Sequence, residues 1–139
     1  MTSEKKTFRP LTSNDVCEIY KLLNEERLVS FPLTQDACNK VDSIVANITQ
    51  PHYGTEIYPT AEEKAVAYFY FLIKDHPFTD GNKRTATLTF YVICRINKLR
   101  RDESIQLDAL AVLIEKIKED DHKMVISVIT KMLFRVPKV

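Results

Sequence analysis

At 139 residues the chain fits one domain with a hydrophobic core of its own. Hydrophobic residues at 45% and charged residues at 28% give the balance of a globular protein, not of a disordered or fibrous one. A net charge of +1 argues against a dedicated electrostatic binder of nucleic acid or anionic membrane, and no apolar run reaches the ~18 residues of a membrane span.

Residues 1–10 (MTSEKKTFRP) read as a flexible leader, polar and without the apolar stretch of a secretion signal. Ser13, Asn14 or Asp15 can cap a first helix carrying Val16, Ile19, Tyr20, Leu22 and Leu23, ending near Arg27. Phe31-Pro32 breaks the chain. Thr34 then caps a second helix with Ala37, Val41, Ile44, Val45 and Ile48 on one face. The stretch QPHYGTEIYP, 50–59, is bracketed by prolines and too aromatic for a solvated linker; it predicts a short extended or hairpin segment around Gly54.

Thr60 and Glu63 have the spacing of a capping box. The helix after them is apolar nearly all round as far as Lys74, which predicts a central, buried helix. Tyr68, Phe69, Tyr70 and Phe71 are its core packing. Pro77 ends this helix and biases His76 away from the α region. Helical periodicity resumes after Gly81 and runs to about Asn97; LRRDES is a polar link. Helices over about 107–118 and 121–134 complete an all-α chain spanning one domain over 11–139.

The remaining side chains of note have plain readings. Cys17, Cys38 and Cys94 are scattered with no metal-like spacing, as reduced cytosolic thiols are. Lys98, Arg100 and Arg101 adjoin Asp102 and Glu103 and lack interleaved aromatics, so they form a solvated link, not a nucleic-acid site. His52, Tyr53 and His122 read as ordinary loop or solvated residues.

The segment HPFTDGNKR, 76–84, concentrates chemistry in a chain with only two glycines, Gly54 and Gly81. It forms a tight loop opening onto a helix start, where unpaired N–H groups and partial positive charge favour an anion such as phosphate. Lys83 and Arg84 in that first turn have the wrong sign for the helix dipole, a cost that a bound anion offsets. Asp80 offers a hard oxygen suited to Mg²⁺. His76 can take a proton from a hydroxyl near neutral pH. Gly81 permits the turn and a close backbone approach to phosphate. Phe78 points inward and anchors the loop. A P-loop is excluded, since the segment follows a helix and lacks the upstream glycine.

HPFTDGNKR resembles the signature HxFx[DE]GN[GK]R of the Fic/Doc (Fido) family, and over about residues 35–100 the chain is similar to Doc-like (death-on-curing) proteins and to the Fido domain of RhuM-type virulence proteins. The resemblance implies an all-α Fido domain with a short β-hairpin flap. It implies an enzyme that transfers part of a nucleotide, usually ATP with Mg²⁺, to a protein hydroxyl. His76 would be the catalytic base, Asp80 the Mg²⁺ ligand, and Gly81, Asn82, Lys83 and Arg84 the phosphate-binding residues. Phe78 would be structural. Gly54, Thr55, Glu56 and Ile57 would form a flap holding the target segment by strand pairing.

Two departures matter. AMP-transferring members have glycine at the position of Lys83 and a second arginine where this chain has Thr87. Doc-type members with NKR are thought to bind the nucleotide reversed. The resemblance therefore leans to transfer of the γ-phosphoryl group, with AMP transfer and a non-catalytic partner-binding module as alternatives. The family's inhibitory motif [ST]xxxE[GN] is absent, so inhibition in cis of that type is not expected. The expected setting is cytoplasmic, with a target protein as substrate and no membrane or direct nucleic-acid partner. A role as the toxin of a toxin–antitoxin pair, a separate antitoxin and a homo-oligomer are left open.

Overall fold

The computed structural model describes residues 7–135. Among the described residues six helices follow one another: α1 (Ser13–Glu25), α2 (Gln35–Thr49), α3 (Ala61–Lys74), α4 (Asn82–Ile96), α5 (Leu107–Lys116) and α6 (His122–Leu133). Among the described residues there is no strand, and no helix is long and apolar enough to cross a membrane.

Helix α3 is the axis of the fold. It packs against α2, α4, α5 and α6, while α1 closes the other side against α2 and α4. Ala65 to Tyr70 are wholly buried, as an all-round apolar helix requires. Its buried tyrosines keep their hydroxyls satisfied. Tyr68 donates to the Leu11 carbonyl at 2.6 Å, and the Tyr70 hydroxyl meets His122 Nδ1 at 2.7 Å. His122 is thus a partner of the core at the start of α6, not merely a solvated residue.

Caps set the helix starts. The α1 cap is Thr12, one residue before those expected: its hydroxyl accepts from Asp15 N–H while the Asp15 carboxylate accepts from Thr12 N–H. Thr34 caps α2 and Thr60 caps α3 as read from the sequence. Glu63, however, accepts from the Thr60 hydroxyl, not its backbone N–H.

Two further expectations need correction. The leader was expected to be loose over 1–10. Residues 1–6 lie outside the described residues, but Arg9 is held at both backbone groups by the Asn97 amide, at 2.7 and 3.0 Å, and Phe8 packs on the core. The flap is smaller than the expected β-hairpin. His52 and Thr55 exchange two backbone hydrogen bonds, at 2.9 and 3.0 Å, around Tyr53 and Gly54, both at positive φ (52° and 77°). That is a type I′ turn closed by a single bridge, with no ladder beyond it.

Candidate functional site

The antiparallel α3–α4 hairpin carries residues 75–81 at one end, and these fold back as a tight loop. His76 adopts φ 45°, in the left-handed region that a non-glycine residue occupies at a cost. The right-handed helix is closed to it by Pro77. The loop is then fastened twice. Phe78 is buried and stacks on Tyr20 of α1, ring centroids 4.2 Å apart and nearly parallel. Asn82, only 8% exposed, accepts from Phe78 N–H at 3.0 Å and donates to Phe78 C=O at 2.9 Å. The same amide nitrogen stands 3.3 Å from His76 Nδ1, which leaves Nε2 unengaged among the described residues. The Asn82 side chain is therefore spent on the loop.

Gly81 starts α4 with φ 79°. No side chain caps this helix and its first turn holds no acid, so the first N–H groups are left for an external anion. The glycine also has a packing reason that its sequence context does not reveal: the space where a Cβ would point is filled by Val29.

Around this helix start lies a cleft of about 490 Å³, lined by Leu28, Ser30, His76, Thr79, Asp80, Gly81, Asn82, Lys83, Arg84 and Glu115. It brings together His76, Asp80, Lys83 and Arg84, the residues singled out in the sequence. It does not include Gly54, Thr55, Glu56 or Ile57. The base of the flap sits at the opposite end of α3, where Glu56 pairs with Lys64 at 3.1 Å. A larger cleft of about 1020 Å³ lies at that far end. Its one buried cation, Lys64, is already satisfied by Glu56 and the Tyr58 carbonyl, and it contains none of the 76–84 segment.

The α1–α2 connection forms the second wall of the smaller cleft. Arg84 donates to the Leu28 carbonyl at 2.6 Å, and Ser30 N–H approaches Asp80 Oδ2 at 3.4 Å. That connection is itself held by the Tyr20 hydroxyl on Phe31 C=O and by Asn24 on Val29 and Phe31 C=O. Lys83 pairs with Glu115 of α5 at 3.1 Å. At the rear, burial pushes the Asp75 carboxyl above its ordinary range, partly offset by the charges of His122 and His76.

Leu28, Val29, Ser30 and Glu115 escape a reading of the sequence because they lie 32 to 56 residues from their partners. Glu115 left one signal: an acid in the last turn of a helix opposes the dipole.

Among the described residues no cluster of three His, Cys, Asp or Glu could by itself hold a metal. Asp80 alone still fits Mg²⁺, which commonly binds through one or two carboxylates together with substrate phosphates and water. The chemistry available is therefore a histidine, the Asp80 and Glu115 carboxylates, two cations and an uncapped helix start.

Residues 10–94 match the model of the Fic/DOC family. Over 81 residues the chain is 30% identical to Toxin Doc of Mycolicibacterium smegmatis (strain ATCC 700084 / mc(2)155), an alignment covering 58% of this chain and 62% of that protein. The chain thus spans about three fifths of the length of that relative. No solved structure matches.

Proposed function

The chain belongs to the Fic/DOC family, and from that membership we propose that it is a Doc-like transferase moving the γ-phosphoryl group of MgATP to a protein hydroxyl. The observation that carries this reading is the position of Lys83 in the cleft, on the first turn of α4 beside Arg84 and in one pocket with His76 and Asp80. A lysine there supplies a cation to a phosphate where a glycine would only leave room.

In this reading the triphosphate lies across the start of α4. Its oxygens take up the open N–H groups, Lys83 and Arg84. Mg²⁺, when bound at Asp80, neutralises phosphate charge. The target hydroxyl oxygen bonds to the γ-phosphorus as the bond from that phosphorus to the β,γ-bridging oxygen breaks. The hydroxyl proton passes to His76 and ADP leaves. Positioning and charge stabilisation supply most of the rate, as in phosphoryl transfer generally. The relative's name, Toxin Doc, supports a toxin role with an antitoxin as partner.

The test is a paired labelling of bacterial lysate with ATP carrying label at the α or the γ phosphate, using the protein and His76→Ala. Label on a protein from γ-ATP alone, dependent on His76, is the expected result. Label from α-ATP would replace phosphoryl by AMP transfer. Label from neither, with no MgATP binding by calorimetry, would leave a partner-binding module.

A further inference from the structure

The anion site at the start of α4 already faces a carboxylate. Glu115 comes from α5, the ninth of its ten residues, and both of its oxygens lie within reach of Lys83 Nζ, at 3.1 and 3.3 Å. Both side chains line the cleft that holds His76, Asp80 and Arg84. Nothing in α5 favours a glutamate there: the C-terminal turn of a helix repels an acid, and Lys116 is the residue that suits it. On the other side of the cleft, α4 begins with two cations and neither an acid nor a capping side chain. Glu115 thus supplies from another helix the negative charge that this helix start lacks.

We infer that Glu115 is a built-in competitor for phosphate at Lys83, so that it sets how tightly the site holds a nucleotide. This inference rests on the reading of the cleft as a triphosphate site. The side chains of Lys83 and Glu115 are 44% and 35% exposed, and an ion pair that open to water is weak. A triphosphate brings more charge and more acceptor oxygens than one carboxylate. Glu115 therefore tunes affinity and does not close the site. For Lys83 to reach a phosphate it must leave Glu115, and the vacated carboxylate then repels the incoming anion.

The experiment is a double-mutant cycle read by calorimetry with MgATP as the titrant. Glu115→Gln keeps the shape and removes the charge; Lys83→Met removes the cation. Glu115→Gln in the native background should tighten MgATP binding about fivefold, the scale of an exposed pair plus the repulsion it leaves behind. In the Lys83→Met background the same change should give less than about half of that gain in free energy, because the competition has been removed. Unchanged binding on Glu115→Gln, while the native protein binds MgATP, overturns the inference and leaves the triphosphate reading standing. Weaker binding overturns it too, by making Glu115 part of the ligand's own site. An equal gain with and without Lys83 reduces Glu115 to a distant charge. No binding by any variant overturns the triphosphate reading and the inference with it. Thermal melts of all four proteins exclude unfolding as the cause.

Discussion

Val29 occupies the place where Gly81 would carry a side chain: a Cβ built on Gly81 would lie 2.1 Å from Val29 Cγ1. The start of α4 is thereby pressed on the α1–α2 connection, and the same connection touches Arg84 through Leu28 and Asp80 through Ser30. Gly81→Ala meets both a left-handed φ of 79° and this wall. The conformational part costs about 1–2 kcal/mol and the overpacking about 1–3 kcal/mol. Paired with Val29→Ala, the substitution should recover the packing part only when compared with Val29→Ala alone. Urea denaturation of the four proteins separates the two, and a fully additive cycle would show that Val29 is not the obstacle.

Asn82 is the clasp of the loop. Asn82→Ala strands the buried Phe78 N–H and C=O, which Asn82 alone joins at 3.0 and 2.9 Å. An unsatisfied buried group costs about 1–3 kcal/mol. The loss of transfer activity should exceed what unfolding explains, because His76 loses its neighbour at Nδ1 as well. The check compares denaturant midpoint with turnover under conditions where the variant is fully folded. Activity that falls only in step with the folded fraction would make Asn82 a stabilising residue and nothing more.

Much of this was legible in the sequence because it is local. The helices follow from periodicity, with Thr34 and Thr60 marking the starts of α2 and α3, and α3 was readable as the buried axis since nearly all of its faces are apolar. The residues His76 to Arg84 share one loop and one helical turn, so their meeting needs no tertiary information. What stayed hidden is what other helices bring to them. Glu115, Leu28 and Val29 carry no motif, and their roles exist only once α1, α4 and α5 are packed. Gly81 shows the limit most clearly: its context supplied a backbone reason, the approach of phosphate, while Val29 supplied a steric one that no spacing encodes. The flap was over-read for the converse reason. Two prolines and a glycine announce a turn, and they leave open how far pairing extends beyond His52 and Thr55.

His76 sits at φ 45°, where glycine is at ease and a Cβ is not. His76→Gly and His76→Ala should both lose transfer by about 10²–10⁴-fold, the contribution of a positioned general base. They should differ in stability. Relative to alanine, glycine should be more stable by about 1 kcal/mol, or roughly 3–5 °C in melting temperature for a chain of this size. Equal melting temperatures would mean that the loop relaxes to negative φ once the imidazole is gone, and that the strain belongs to the histidine's own contacts.

Alkaline conditions should unfold the protein earlier than its surface charge alone would. Burial pushes the Cys94 thiol from its ordinary value of 9.0 up to about 12, and it raises the Tyr68 hydroxyl as well. Between these limits the native state keeps the Cys94 proton and the unfolded chain has released it. Stability is therefore intact below about pH 9 and falls as pH rises towards 12, by up to ~1.4 kcal/mol per pH unit for each such group. Cys94→Ala removes one of them. The variant should be less stable than the native protein at pH 7, having lost a buried side chain, and the gap should narrow steadily by pH 10.5. Urea denaturation across that range measures it directly. A gap independent of pH would show that the Cys94 thiol ionises as easily in the folded protein as in the unfolded one.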